Sequence, residues 1–230
     1  MLSKISNEKN QKGFLFDIII YISVMFLIRE IYFPNLHFIA NGLFWSFTTL
    51  IVASWRMKVR NITWKDLGLR KPKSFIVTFL VTIGILATIP ILIIIFQQLT
   101  DIFGLNLAPD TSSQDAVSKF GNLKNNWSHF FTIIPFILIQ SALEELLDRG
   151  FLITWFERIF SKTSLATVFA VLLQALIFGF RHSYDISERS ITVAIIGLVM
   201  GIAYVTFGRN LWPLIIAHCI LNTASMLGRI

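Results

Sequence analysis

Cysteine is almost missing from this sequence: the single Cys219 lies inside an apolar run, which excludes a disulfide framework and a thiolate metal cluster. Charge is sparse as well. Only 14% of the 230 residues are charged, and acids are the scarcer sign, 13 against 20 Lys and Arg. The HExxH spacing of soluble zinc proteases is absent, as are internal repeats and low-complexity tracts. The polar N-terminus, MLSKISNEKNQKG, lacks the small-residue cleavage site of a signal peptide, so the apolar run after it reads as a retained first span.

What is abundant is apolar sequence. Hydrophobic residues make up 55% of the chain, with 22 Phe and 6 Trp, and the mean hydropathy is +0.70. The apolar residues come in long runs without the polar punctuation of amphipathic helices, so the expected solvent is lipid. A net charge of +7 raises nucleic acid as a partner. The cations gather in short stretches between apolar runs, however, where the positive-inside rule accounts for them, and no nucleic-acid partner is expected.

A helix needs about 20 apolar residues to cross the hydrocarbon core. On that template the spans fall near 14 to 33, 38 to 55, 74 to 96, 129 to 147, 164 to 181, 190 to 207 and 211 to 227. The expected fold is all-α: a polytopic transmembrane helical bundle of about seven spans, with eight as the variant, and an active site between the C-terminal helices. The segment from Arg56 to Lys73 holds seven cations against Asp66 alone and marks the cytoplasmic side, with Lys4, Lys9 and Lys12 in agreement. The N-terminus is then cytoplasmic. A long loop from about Gln97 to Ser128, with Asp101, Asp110 and Asp115, lies outside. That loop divides the chain into residues 1–128, with spans one to three, and residues 129–230, a catalytic helical core. In the first part the ionisable residues are few, chiefly Arg29 and Glu30, and a pairing or snorkelling role suits them. Gly197 and Gly201 have the small-xxx-small spacing of closely packed helices.

Ionisable groups at bilayer depth are expensive and mark function by default. Three clusters stand out. In Glu144-Glu145-Leu146-Leu147-Asp148-Arg149-Gly150 the two glutamates point about 100° apart on a helix, while Glu145 and Arg149, four apart, share a face. One glutamate is thus offered a partner and the other is left for chemistry; the plainer alternative is a charged helix end. Phe178 and His182 share a face at the end of the fifth span, with Gly179 between them allowing a close helix contact or a bend. His218 and Asn222 share a face of the last span, where helix-to-helix glue is the plainer reading. Helical legs of roughly 24 and 27 Å return Glu144 and His182 to similar depth. His218, only about 11 Å into a span entering from the opposite face, is harder to level. A tilted or re-entrant element around 149 to 160, or an interfacial FLITWFERIF segment, would be one remedy.

These residues resemble the CPBP intramembrane proteases, which include CAAX-type prenyl-protein endopeptidases and bacterial Abi-type bacteriocin-immunity proteins. The motifs are EExxxR at Glu144 to Arg149, FxxxH at Phe178 to His182 and HxxxN at His218 to Asn222, over roughly 129 to 227, about 40% of the chain. WKDLGLR after the second span is similar to a stretch common in such proteins. The resemblance implies a membrane-embedded endopeptidase. Glu144 would be the general base with His182 as its partner, and His218 and Asn222 would face the scissile carbonyl. Arg149 would hold Glu145, and Phe178 would pack beside the site. It implies no metal; Zn²⁺ on the glutamates and histidines is the minority alternative. The substrate would be a peptide or protein, lipidated or membrane-inserted, and peptide maturation and bacteriocin immunity in a bacterial cell membrane are the roles it offers. Two competitors are a non-catalytic immunity or partner-binding scaffold, which uses the polar groups for packing, and a proton-relaying transporter.

Overall fold

The computed structural model describes residues 11–108 and 119–230. Lys4, Lys9, Asp110 and Asp115, used above to assign sides, lie outside the described residues. The helices are α1 (Gln11–Leu27), α2 (Phe38–Val59), α3 (Phe75–Phe103), α4 (Trp127–Glu144), α5 (Thr154–Ile159), α6 (Ala166–Ser183), α7 (Glu188–Thr206) and α8 (Trp212–Leu227). A π-helical stretch, Glu145–Ile153, joins α4 to α5 without a break. The only bridge among the described residues links Ala108 to Ser187.

Six helical segments are long and apolar enough to span a bilayer, and α8, with 16 residues, is a shorter apolar helix. The chain is therefore a multi-pass integral membrane protein. Two boundaries depart from the hydropathy reading. Helix α3 runs on to Phe103, so Asp101 belongs to the helix and not to the following loop. The fourth span covers Trp127–Ile159, 33 residues in all. FLITWFERIF does not lie along the interface: Phe151, Leu152, Ile153 and Trp155 are fully buried in the bundle core, with Phe151 stacked on Trp155 at 4.1 Å.

The first span also holds a charge that hydropathy passed over. Asp17 of α1 is fully buried and accepts from Arg56 at 2.6 Å, Arg60 at 2.8 Å and Trp155 Nε1 at 3.2 Å. One carboxylate thus ties α1 to α2 and α5. Arg29 does not depend on Glu30: it donates to the Arg181 carbonyl and the Tyr184 hydroxyl, both at 2.8 Å, and stacks over Trp45.

Helices α6 and α7 pack backbone to backbone because glycines line their seam. A Cβ on Gly179 would sit 2.4 Å from the Ser190 carbonyl oxygen and 2.7 Å from Ala194 Cβ, so the sequence's FGF step makes a close contact and not a bend. Gly197 and Gly201 face Ala175 and Val171 on the same seam. Gly179→Ala must therefore push α6 off α7, at about 1–3 kcal/mol for overpacking. Gly84→Ala, whose Cβ meets nothing within 4 Å, is the control. Thermal midpoints in detergent should fall for the first variant alone; equal midpoints would refute the packing argument.

Candidate active site

Asn126 caps α4 by accepting from the His129 N–H, and the helix then carries Gln140, Ser141, Glu144 and Glu145 on successive turns into the bundle. The π-helical stretch begins at Glu145, and π turns inside α-helices occur frequently at functional sites. The buried π stretch keeps Glu145, Asp148 and Arg149 inside protein, away from lipid.

The difficulty over depth disappears where α8 begins. Leu211 is fully buried, because the Trp64–Arg70 segment packs against it and the Leu211 N–H donates to the Gly68 carbonyl at 3.1 Å. Gly68 has φ +105, and a Cβ there would lie 2.2 Å from the Arg209 carbonyl oxygen, so only glycine fits. Leu211 in turn sits beside Gly150, whose added Cβ would meet Leu211 Cδ1 at 3.5 Å. Glu144 precedes Gly150 by six residues and His218 follows Leu211 by seven, which puts both about 9–11 Å from that contact in the same direction.

Glu144, Glu145, His182 and His218 do meet. The His218 ring lies between the two glutamates: Nδ1 is 2.7 Å from Glu145 Oε1, and Nε2 is 3.7 Å from Glu144 Oε2. The two carboxylates leave the helix in different directions, yet one imidazole reaches both. The expected division, one glutamate for Arg149 and the other for chemistry, is therefore incomplete. Glu145 does pair with Arg149, at 3.0 Å, but it also holds His218.

His182 Nδ1 lies 2.6 Å from the Phe178 carbonyl oxygen. A carbonyl can only accept, so Nδ1 carries the proton and a neutral His182 presents Nε2 as an acceptor, 4.0 Å from Glu144 Oε2. Asn222 lies one turn beyond His218, and its Nδ2 donates to Ser141 Oγ at 2.8 Å. The Phe178 ring occupies the middle of the cluster: its centroid is 4.5 Å from the His182 ring, with Arg149 at 4.2 Å and Arg181 at 5.2 Å over it. The π face is negative, so it suits two guanidinium groups that would otherwise repel.

Spacing arguments left three contributors without a role. Asp148, fully buried, accepts from Arg181 Nη2 at 2.6 Å, and the same nitrogen lies 3.9 Å from Glu144 Oε1. Gln140 donates to Glu144 Oε1 at 3.1 Å and to Ser46 Oγ at 2.7 Å. Gln140 stands four residues before Glu144, a helical spacing that could have exposed it. The Asp148–Arg181 pair joins separate helices and leaves no such trace.

Glu144, His182, His218 and Asn222 line a cavity of about 500 Å³. Phe38, Ile39 and Trp45 of α2 and Met226 of α8 add apolar surface to the lining. Residues 126–224 match the family described as Rce1-like, type II CAAX prenyl endopeptidase, a segment that contains all seven residues named by the motifs. No curated protein and no solved structure gives a significant match to the chain.

Proposed function

We propose that this chain, whose residues 126–224 match the CAAX-type endopeptidase family, hydrolyses a peptide bond of a membrane-associated peptide or protein with water activated by Glu144 and His182. The observation that carries the reading is the convergence of Glu144 Oε2, His182 Nε2 and His218 Nε2 on the cavity wall, with separations of 3.7 and 4.0 Å from the carboxylate oxygen. Those gaps are too long for direct hydrogen bonds and suit one bridging water.

In this mechanism the water oxygen attacks the carbonyl carbon while Glu144 takes the water proton and His182 Nε2 accepts the second hydrogen bond. The carbonyl oxygen gains the electron pair of the broken π bond. Asn222 Nδ2 has a second N–H beyond the one given to Ser141, and it stabilises the oxyanion from the part of the cavity wall that the His218 ring also lines. Collapse of the tetrahedral species breaks the C–N bond, and Glu144 returns its proton to the leaving amine. Arg149 holds Glu145, and Glu145 orients His218 through Nδ1. Asp148 anchors Arg181 beside Glu144.

No metal enters this scheme. Purified protein in detergent or lipid, incubated with a peptide panel containing prenylated and unmodified members, should release fragments at the same rate with and without EDTA. Inactivation by EDTA with recovery on Zn²⁺ would replace the glutamate mechanism by a metal one. Comparing membrane peptidomes of wild type and Glu144→Ala cells identifies the substrate; indistinguishable peptidomes would remove the proteolytic reading.

A further inference from the structure

The two ends of the bundle differ in charge, and the cavity's lining reaches only one of them. At the first end, Gln11 of α1 bonds Ile159 and Ser161 after α5, Arg209 pairs with Glu157 at 2.6 Å, and Arg70 donates to the Gly208 carbonyl at 3.1 Å. The loop there carries Lys58, Arg60, Lys65, Arg70, Lys71 and Lys73, and Lys12, Arg158, Lys162 and Arg209 lie at the same end. At the second end, Arg29 meets Arg181 and Tyr184, Glu188 bonds Ala108, and the Asn125 N–H donates to the Ile230 carbonyl. Its cations among the described residues are Arg29, Lys119, Lys124, Arg181, Arg189 and Arg229. That is ten against six, with the ten concentrated in short connections next to helix ends, where lysine and arginine govern orientation.

The cavity reaches from Glu144 and His218 in the middle of the bundle to Arg29, Phe38, Lys119, Tyr184 and Arg229, all at the second end. None of its lining comes from the basic first end.

We infer that the cavity opens on the non-cytoplasmic side, so that the site receives peptides or juxtamembrane stretches presented outside the cytoplasm. The substrate part of this inference rests on the proteolytic reading above; the orientation does not. A lipidated tail exposed to the cytoplasm would face the basic end, which contributes nothing to the cavity's lining.

Orientation can be read without any activity. In a Cys219→Ala, Glu144→Gln background, single cysteines are placed at Lys65, in the basic loop, at Lys124, at the other end, and at Ser225, on the cavity wall. Intact cells are then treated with a membrane-impermeant maleimide. Lys124→Cys and Ser225→Cys should label in intact cells, and Lys65→Cys only after permeabilisation. Labelling of Lys65→Cys in intact cells overturns the orientation. Ser225→Cys that labels only with Lys65→Cys, or only after denaturation, overturns the opening. A second arm uses active protein in sealed vesicles sorted by this labelling, with an impermeant peptide that the detergent-solubilised enzyme cleaves. Cleavage by right-side-out vesicles supports the inference, and cleavage by inverted vesicles alone overturns it. Correct labelling with no peptide cleaved even in detergent removes the proteolytic reading and leaves the orientation standing.

Discussion

Glu144→Gln is expected to abolish measurable peptide hydrolysis while the bundle stays folded. The amide keeps the shape of the carboxylate and still offers Oε1 to Gln140, now at 3.1 Å. What it loses is the ability to take a proton from water and return it to the leaving amine. A positioned general acid–base group contributes about 10²–10⁴-fold, and Glu144 performs both transfers, so the upper part of that range is the expectation. His182→Ala should fall within the same range but less far, because in this scheme His182 receives a hydrogen bond and does not carry the transferred proton. The assay is the initial rate on a peptide cleaved by wild type, with helicity and thermal midpoint measured on the same preparations. A Glu144→Gln enzyme that retains more than about a tenth of the rate would remove Glu144 from the role of base, since such a loss is below the general acid–base range.

Arg149→Met should damage stability more than any exchange on the lipid-facing surface. The guanidinium is fully buried, 3.0 Å from Glu145 Oε1 and 4.0 Å from Asp148 Oδ2, with its charge over the Phe178 ring at 4.2 Å. Methionine fills much of the volume but leaves Glu145 and Asp148 with one cation fewer in a site that water does not reach freely. Removing one partner of a buried ion pair typically costs about 3–5 kcal/mol. Arg149→Lys should restore only part of the loss, since an ammonium cannot stack flat on Phe178 while facing Glu145. Cys219, half-buried in α8 and the only thiol in the chain, reports the unfolding through a thiol-reactive fluorophore. Unchanged midpoints in Arg149→Met would mean that the pair is dispensable to the fold.

Tertiary structure also shows which inferences from spacing were complete. Glu145 with Arg149, Phe178 with His182, and His218 with Asn222 each stand four residues apart, and each pair lies on one helical face as that spacing requires. The level of His218 relative to Glu144 is not legible from hydropathy, because it depends on Leu211, just before α8, packing against Gly68 and Gly150. Asp17 escaped notice because an isolated acid in an apolar run gives no hint of partners that stand 39 and 43 residues away.

The sequence by itself determined that the chain lives in lipid, which stretches form the cores of its spans, and which polar side chains share a helical face. Those properties depend on composition and on the 3.6-residue period, both of which are local. The tertiary structure alone decided that His218 bridges two glutamates pointing in different directions, that Asp148 holds Arg181 beside Glu144, and that the cavity's lining reaches the less basic end. These follow from how deep each helix starts and how closely its neighbour approaches, set by Gly68, Gly150 and Gly179 and by the π-helical stretch. No local periodicity encodes them, because each is a contact between segments far apart in the chain.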